Sequence, residues 1–176
     1  MIQFTTLSES GHSHFAKDLF ESAFPKEERP PFAAVRDREQ SNFHFLVATL
    51  GEDDPVGILT YWTFPQFVYI EHFAIHPNFR DKGFGKACML EFMNQFPDQV
   101  LFEIEMPNTE QAEHRLEFYT DLGFTPNGND YMQPSYYGTR LEVPMIIMSK
   151  YELDDEEFEE VRNTLYKDVY GFEAKL

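Results

Sequence analysis

Apolar positions along this chain recur at two periods, and the switches between them lay out an order of elements. Ile2 to Leu7 reads as a short strand. Phe15, Leu19, Phe20 and Ala23 then share one face of a helix over His12 to Phe24, which Pro25 closes. Phe32 to Glu39 is a second helical stretch behind the rigid Pro30-Pro31 pair. Phe43 to Leu50 and Val56 to Phe64 are rich in β-branched and aromatic residues, and Gly51-Glu52-Asp53-Asp54 joins them as an antiparallel hairpin. Phe67 to Ile75 makes another strand, and from Gly83 to Phe96 the period is helical, with Phe84, Cys88, Phe92 and Phe96 on one stripe and Pro97-Asp98 as the stop.

Val100 to Met106 sets Phe102, Ile104 and Met106 against Glu103 and Glu105, a strand with one acidic face. Asn108 can cap the next helix, with Gln111 completing the reciprocal bond, and Gly123 ends it. Phe124 to Tyr131 and Leu141 to Tyr151 read as closing strands, joined by a tyrosine-rich loop through Gln133, Pro134, Tyr136 and Tyr137. Asp154-Asp155 open an amphipathic helix, about 154–170, with Phe158, Val161 and Leu165 on one side. No repeat or linker divides the order, so the expectation is a single α/β domain over 1–176, a mixed sheet with helices on both faces.

Composition narrows the use of that scaffold. At 176 residues and 42% apolar content the chain suits one core. A formal charge of −17 argues against a nucleic-acid partner, because phosphate backbones are held by clustered Lys and Arg. The same charge mildly favours a cationic substrate, or simply keeps the surface solvated. A single cysteine, Cys88, rules out an internal disulfide framework and sits on the apolar stripe of its helix, where packing outweighs nucleophilic chemistry. The histidines show no His-Glu-x-x-His arrangement, and no metal is assigned. The opening residues lack a basic-then-apolar leader, and no apolar run reaches the roughly 20 residues that span a bilayer. The expectation is a cytoplasmic protein with no membrane partner.

The stretch His76-Pro77-Asn78-Phe79-Arg80-Asp81-Lys82-Gly83-Phe84-Gly85-Lys86 lies between a strand end and a helix start, where backbone N–H groups and the helix dipole favour an anion. Two glycines let the backbone fold closely, and Arg80, Lys82 and Lys86 supply positive charge in an acidic chain. A Rossmann fingerprint needs a third glycine where Cys88 stands, and a P-loop needs Ser or Thr where Ala87 stands. Arg80-Asp81-Lys82-Gly83-Phe84-Gly85 instead resembles the Arg/Gln-x-x-Gly-x-Gly/Ala turn of GNAT acyltransferases, N-acetyltransferases that use acyl-CoA. Phe73-Ala74-Ile75-His76-Pro77 is similar to that family's strand end, and Phe118-Tyr119-Thr120-Asp121-Leu122-Gly123-Phe124 to its later helix and tyrosine. The resemblance covers Val56 to Phe124.

The resemblance implies acetyl-CoA as cosubstrate, with the amides of Phe73 and Ile75 on its pantetheine arm, those of Lys82, Gly83, Phe84, Gly85 and Lys86 on its pyrophosphate, and Asn108 as a further contact. It also implies splayed middle strands and Tyr119 as the group returning a proton to the leaving thiolate; packing on the stripe of Ala112, Leu116 and Leu122 is the other role open to Tyr119. Acyl transfer to an amine needs the amine neutral, so a carboxylate near the acceptor helps. Glu71, on the strand face of Phe73, and Glu103 and Glu105 are candidates, unless they are solvated or pair with Arg115 and Arg140. Alternation turns His72 to the opposite face. The Phe73 N–H is the candidate carbonyl polariser. The acceptor is a small-molecule amine or a basic peptide; an acyl-CoA sensor without catalysis is the competing class. The tyrosine-rich loop could line the acceptor site, and the last helix could dock on the core or on a second subunit, which allows a homodimer.

Overall fold

In a computed structural model of the protein, residues 1–38, 42–51, 53–136 and 142–172 are described. The ends of two expected elements, Glu39 and Leu141, together with Glu52, Tyr137 and Arg140, lie outside them. The chain gathers into two compact units, Met1–Lys26 with Pro30–Val100, and Glu27–Arg29 with Leu101 onward.

The first unit is a four-stranded antiparallel sheet, β1 (Ile2–Thr6), β2 (Phe43–Leu50), β3 (Asp54–Thr63) and β4 (Val68–Ile75), paired in that order. The strands are nearly continuous apolar runs because helices cover both faces. Phe45, Thr60 and His72 share one face by register. Phe20 of α2 (Ser13–Ala23) meets that face with ring centroids 6.2 Å from Phe45 and 4.9 Å from His72. On the other face Phe92 of α4 (Phe84–Gln95) packs on Phe4 and Tyr61, with centroids 6.3 and 5.0 Å apart. Cys88 is buried here with Ile2, Ala48, Val56 and Ile75, a core residue as its stripe position indicates. β3 approaches β4 so closely at Gly57 that a Cβ there would lie 2.8 Å from the Ala74 carbonyl oxygen. Two short helices were not all expected: α1 (Leu7–Ser10) follows β1 directly, and α3 (Phe32–Arg36) is the helix behind Pro30-Pro31.

The second unit is organised on β8 (Val143–Ser149), which pairs antiparallel with β5 (Val100–Glu105), β6 (Thr125–Pro126) and β7 (Tyr131–Gln133). The single strand expected from Phe124 to Tyr131 is thus two short ones. Buried Asn127 separates them: its amide donates to the Ile147 carbonyl (2.8 Å) and Ser149 Oγ (2.9 Å), and its oxygen accepts from the Leu153 N–H (2.8 Å). These bonds hold the chain out of ladder geometry without leaving a buried polar atom unpaired. α5 (Glu110–Asp121) begins one residue later than expected, because the cap is Thr109, whose hydroxyl accepts from the Ala112 N–H at 3.1 Å, and not Asn108. α6 (Asp155–Thr164) opens with a reciprocal Asp154/Glu157 capping box and runs on into a π turn, Leu165–Val169. Among the described residues no helix is long and apolar enough to cross a membrane.

Candidate active site

In the first unit β4 leads into the glycine turn through a single 3₁₀ turn, Pro77–Phe79, whose Asn78 N–H donates to His76 Nδ1 at 3.3 Å. Arg80 Nε donates to the Ile75 carbonyl (2.9 Å) and Lys82 Nζ to the Asn78 carbonyl (2.8 Å), so two of the three cations brace the turn. Asp81 (φ 58°) and Gly83 (φ 80°) are both left-handed. Left-handed residues next to right-handed ones turn successive N–H groups toward one concavity, an anion nest. Gly83 is the N-cap of α4, and no side chain caps that helix. The amides of Phe84, Gly85 and Lys86 therefore open outward at the positive end of the dipole. A Cβ on Gly83 would meet nothing within 4 Å, so its backbone angle and not crowding calls for glycine. The chemistry of this donor set, main-chain N–H groups with exposed Arg80, Lys82 and Lys86, suits a diphosphate.

Upstream on β4 the register shifts: Thr60 faces His72, but Tyr61 faces Ile70. Glu71 is the extra residue of a β-bulge. Bulges break strict alternation and re-aim a side chain, which corrects the expectation that Glu71 shares the face of Phe73. Its carboxylate meets Trp62, which lies two along from Thr60 on the same face and so opposite to Phe73: the indole Nε1–H donates to Oε2 at 2.7 Å. Arg38 Nη1 lies 3.5 Å from Oε1, and its guanidinium stands 5.7 Å over the Trp62 ring. The Glu71 side chain is fully buried, whereas that of Arg38 is 29% exposed. The residue as a whole keeps some exposure, so what reaches solvent at Glu71 is main chain. Phe73 and Ile75 continue β4 opposite Leu59 and Gly57. His72 points away from Phe73 as expected, with Nδ1 3.1 Å from Thr60 Oγ1 and its ring edge-on to Phe20 and Phe24.

In the second unit the two β5 carboxylates part company. Glu105 pairs with Arg115 of α5, as one reading of the sequence had it. Glu103 accepts from the Tyr131 hydroxyl, the Gln133 amide and, at 2.8 Å, the Tyr170 hydroxyl. Tyr131 and Gln133 come from the tyrosine-rich loop region; Tyr170, which follows the last helix, no sequence signal had marked. Neither had Trp62 nor Arg38, since a contact across 33 residues leaves no periodic trace. Asn108 is exposed, its N–H bonded to the Met106 carbonyl at 2.7 Å.

Tyr119 sits on α5 with ring centroids 4.3 Å from Phe102 and 5.0 Å from Phe118. Burial pushes its phenol up to about 12, with Arg115 pulling down and Glu105 pushing up. Burial likewise raises the Cys88 thiol to about 12. Both groups hold their protons more tightly folded than unfolded, so stability is level below the unfolded values and falls as pH rises from about 9 toward 12, at up to about 1.4 kcal/mol per pH unit for each. Urea midpoints at pH 8 and 10.5 check this. The later midpoint should be lower, with part of the loss absent in Cys88→Ala; equal midpoints would contradict it. Among the described residues no cluster of three His, Cys, Asp or Glu is placed to hold a metal ion.

Comparison with known proteins agrees with this geometry. The Acetyltransferase (GNAT) family pattern matches residues 13–124. A GNAT-family protein from Bacteroides thetaiotaomicron is similar over 98% of this chain and 99% of its own, at 34% identity and a TM-score of 0.87. The fold is shared at 16% identity and TM-score 0.59 with the ribosomal-protein-S18-alanine N-acetyltransferase of Escherichia coli, over 88% of this chain and 97% of that one. It is shared at 11% identity and TM-score 0.61 with a spermidine N-acetyltransferase mutant from Vibrio cholerae, over 85% and 94%. No curated protein sequence matches. A glycine turn of this shape after β4, together with a family match over well more than half the chain, places the protein in the GNAT acetyltransferase family.

Proposed function

We propose that the protein moves an acetyl group from acetyl-CoA to a primary amine by direct attack on the thioester. The observation that carries the reading is the turn from Arg80 to Lys86: an uncapped helix start, two left-handed residues and three cations form one donor set in a strongly acidic chain. In this reading the amides of Lys82 to Lys86 hold the pyrophosphate, those of Phe73 and Ile75 align the pantetheine arm, and Asn108 adds a contact. The Phe73 N–H polarises the thioester carbonyl.

Glu71 is the proton acceptor. Its Oε2 accepts from the Trp62 indole N–H and its Oε1 lies 3.5 Å from Arg38 Nη1. An ammonium, RNH₃⁺, gives one proton to Glu71. Attack by the neutral nitrogen forms the C–N bond and breaks the C–S bond, and the second nitrogen proton passes to the sulfur. The products are RNH–COCH₃ and free CoA thiol, with the Glu71 proton returned to water. Glu103 is held by three donors; its part is to orient the tyrosines of the acceptor side. Tyr119 keeps its proton. With its phenol near 12 and an ordinary thiol near 8.5, full transfer is uphill by about 5 kcal/mol, so the hydroxyl steadies the leaving sulfur as a hydrogen-bond donor.

The test is calorimetric titration with acetyl-CoA, followed by thiol release with a panel of amines that includes spermidine and an alanine-ended peptide. Saturable binding and turnover with at least one amine are expected; absence of acetyl-CoA binding would overturn the reading. Tyr119→Phe should lower kcat about tenfold while the acetyl-CoA Kd stays within about twofold, the loss of a single hydrogen bond made as charge develops on sulfur.

A further inference from the structure

Asp81 is at odds with the turn that holds it. Its φ of 58° lies in the left-handed region, and among the described residues every other residue there is glycine. Left-handed backbone is open to glycine and unfavourable for other residues, less so for aspartate and asparagine, whose short polar side chains fit locally. The side chain adds a second conflict. Asp81 is exposed between Arg80 and Lys82, yet those two cations are turned to main chain, Arg80 Nε to the Ile75 carbonyl and Lys82 Nζ to the Asn78 carbonyl. Among the described residues no hydrogen bond or ion pair engages the Asp81 carboxylate. Its negative charge therefore stands unneutralised beside N–H groups that open toward an anion. Arg80, Lys82 and Lys86, less Asp81, leave two positive charges on the turn, which equals the charge of a diphosphate diester and does not exceed it.

We propose that Asp81 sets how long the coenzyme stays: its carboxylate repels the diphosphate held by the turn, weakens acetyl-CoA and the product CoA alike, and hastens the departure of CoA. This rests on the reading of the turn as the diphosphate seat. Both forms of the coenzyme carry the same diphosphate, so the repulsion is uniform and leaves the barrier to acyl transfer untouched. It acts on product release, a step that limits turnover in many enzymes. The backbone angle does not call for the carboxylate, since asparagine adopts the same conformation without the charge.

Asp81→Asn therefore separates charge from geometry. Wild type and variant are titrated calorimetrically with free CoA at about 10 mM salt, where charges act over about 30 Å, and at about 1 M, where they act over about 3 Å. At low salt the variant should bind CoA about threefold to tenfold more tightly, the size of one exposed charge acting on a nearby dianion. Stopped-flow dissociation of CoA should slow by a similar factor, and the gap in affinity should close at high salt. Dephospho-CoA, which keeps the diphosphate and lacks the 3′-phosphate, should show the same gap. Equal affinities at low salt, a gap that survives high salt, or a gap absent with dephospho-CoA would overturn the proposal. Should Asp81→Asn lose its fold by circular dichroism, Asp81→Gly takes its place, and the salt-dependent part of the gap is the quantity read. Wild-type binding without a gap removes this role alone, whereas binding by neither protein removes the diphosphate reading and the role together.

Discussion

Gly83→Pro is expected to weaken acetyl-CoA binding by about 100-fold or more while the circular dichroism spectrum is retained. Proline locks φ near −65° and has no N–H, whereas Gly83 stands at φ 80° as the N-cap of α4. The substitution removes one donor from the turn and forces its neighbours out of the concavity. Two lost bonds to a charged oxygen, at about 1.5 to 3 kcal/mol each, account for the factor. The fold should persist because Gly83 is exposed and a Cβ there meets nothing within 4 Å. Calorimetry with acetyl-CoA is the measurement. Affinity within about threefold of wild type would mean that the pyrophosphate is not held here.

The second large effect is on chemistry. Glu71→Gln should lower kcat by about 100-fold to 10,000-fold, the usual range for removing a general base, with acetyl-CoA affinity unaltered. The amide oxygen of the new residue can still accept the Trp62 N–H, so the bulge keeps its pin, yet nothing in the side chain can take the proton. Glu103→Gln serves as the contrast. Its carboxylate already carries three donors, and its loss should appear mainly in the KM for the amine. Steady-state thiol release with each variant separates the two; a kcat for Glu71→Gln within about threefold of wild type would remove Glu71 from the reaction.

Much of the site was legible because its parts are local. The turn announces itself through Gly83, the cations on either side of it and the helix that follows, all within one short segment, and the structure adds only the left-handed Asp81. The apolar stripe of α4 and the interior place of Cys88 follow from a 3.6-residue period. The cap of α5 was harder to read, because Asn108 and Thr109 are both good capping residues and adjacent. In the structure the cap is Thr109, whose hydroxyl accepts from the Ala112 N–H.

Glu71 shows where period reasoning stops. Strict alternation puts it with Phe73, but one extra residue in β4 relative to β3 re-aims it toward Trp62 and Arg38. A bulge is a property of two paired strands and has no signature in either alone. Asn127 makes a similar point, since its bonds to Ile147, Ser149 and Leu153 divide a segment that reads as one strand.

The amino-acid sequence by itself determined most of the order of elements, the buried stripes of the longer helices, the glycine turn and the family, because each depends on interactions within a few residues or on a repeated spacing. Tertiary structure alone decided which carboxylate is held by an indole and a guanidinium, which by two tyrosines and a glutamine, and which by Arg115. Those partners stand 9, 33, 28 and 67 residues away for the first two carboxylates, and the free energy that brings them together comes from packing whole faces, to which no local pattern is sensitive.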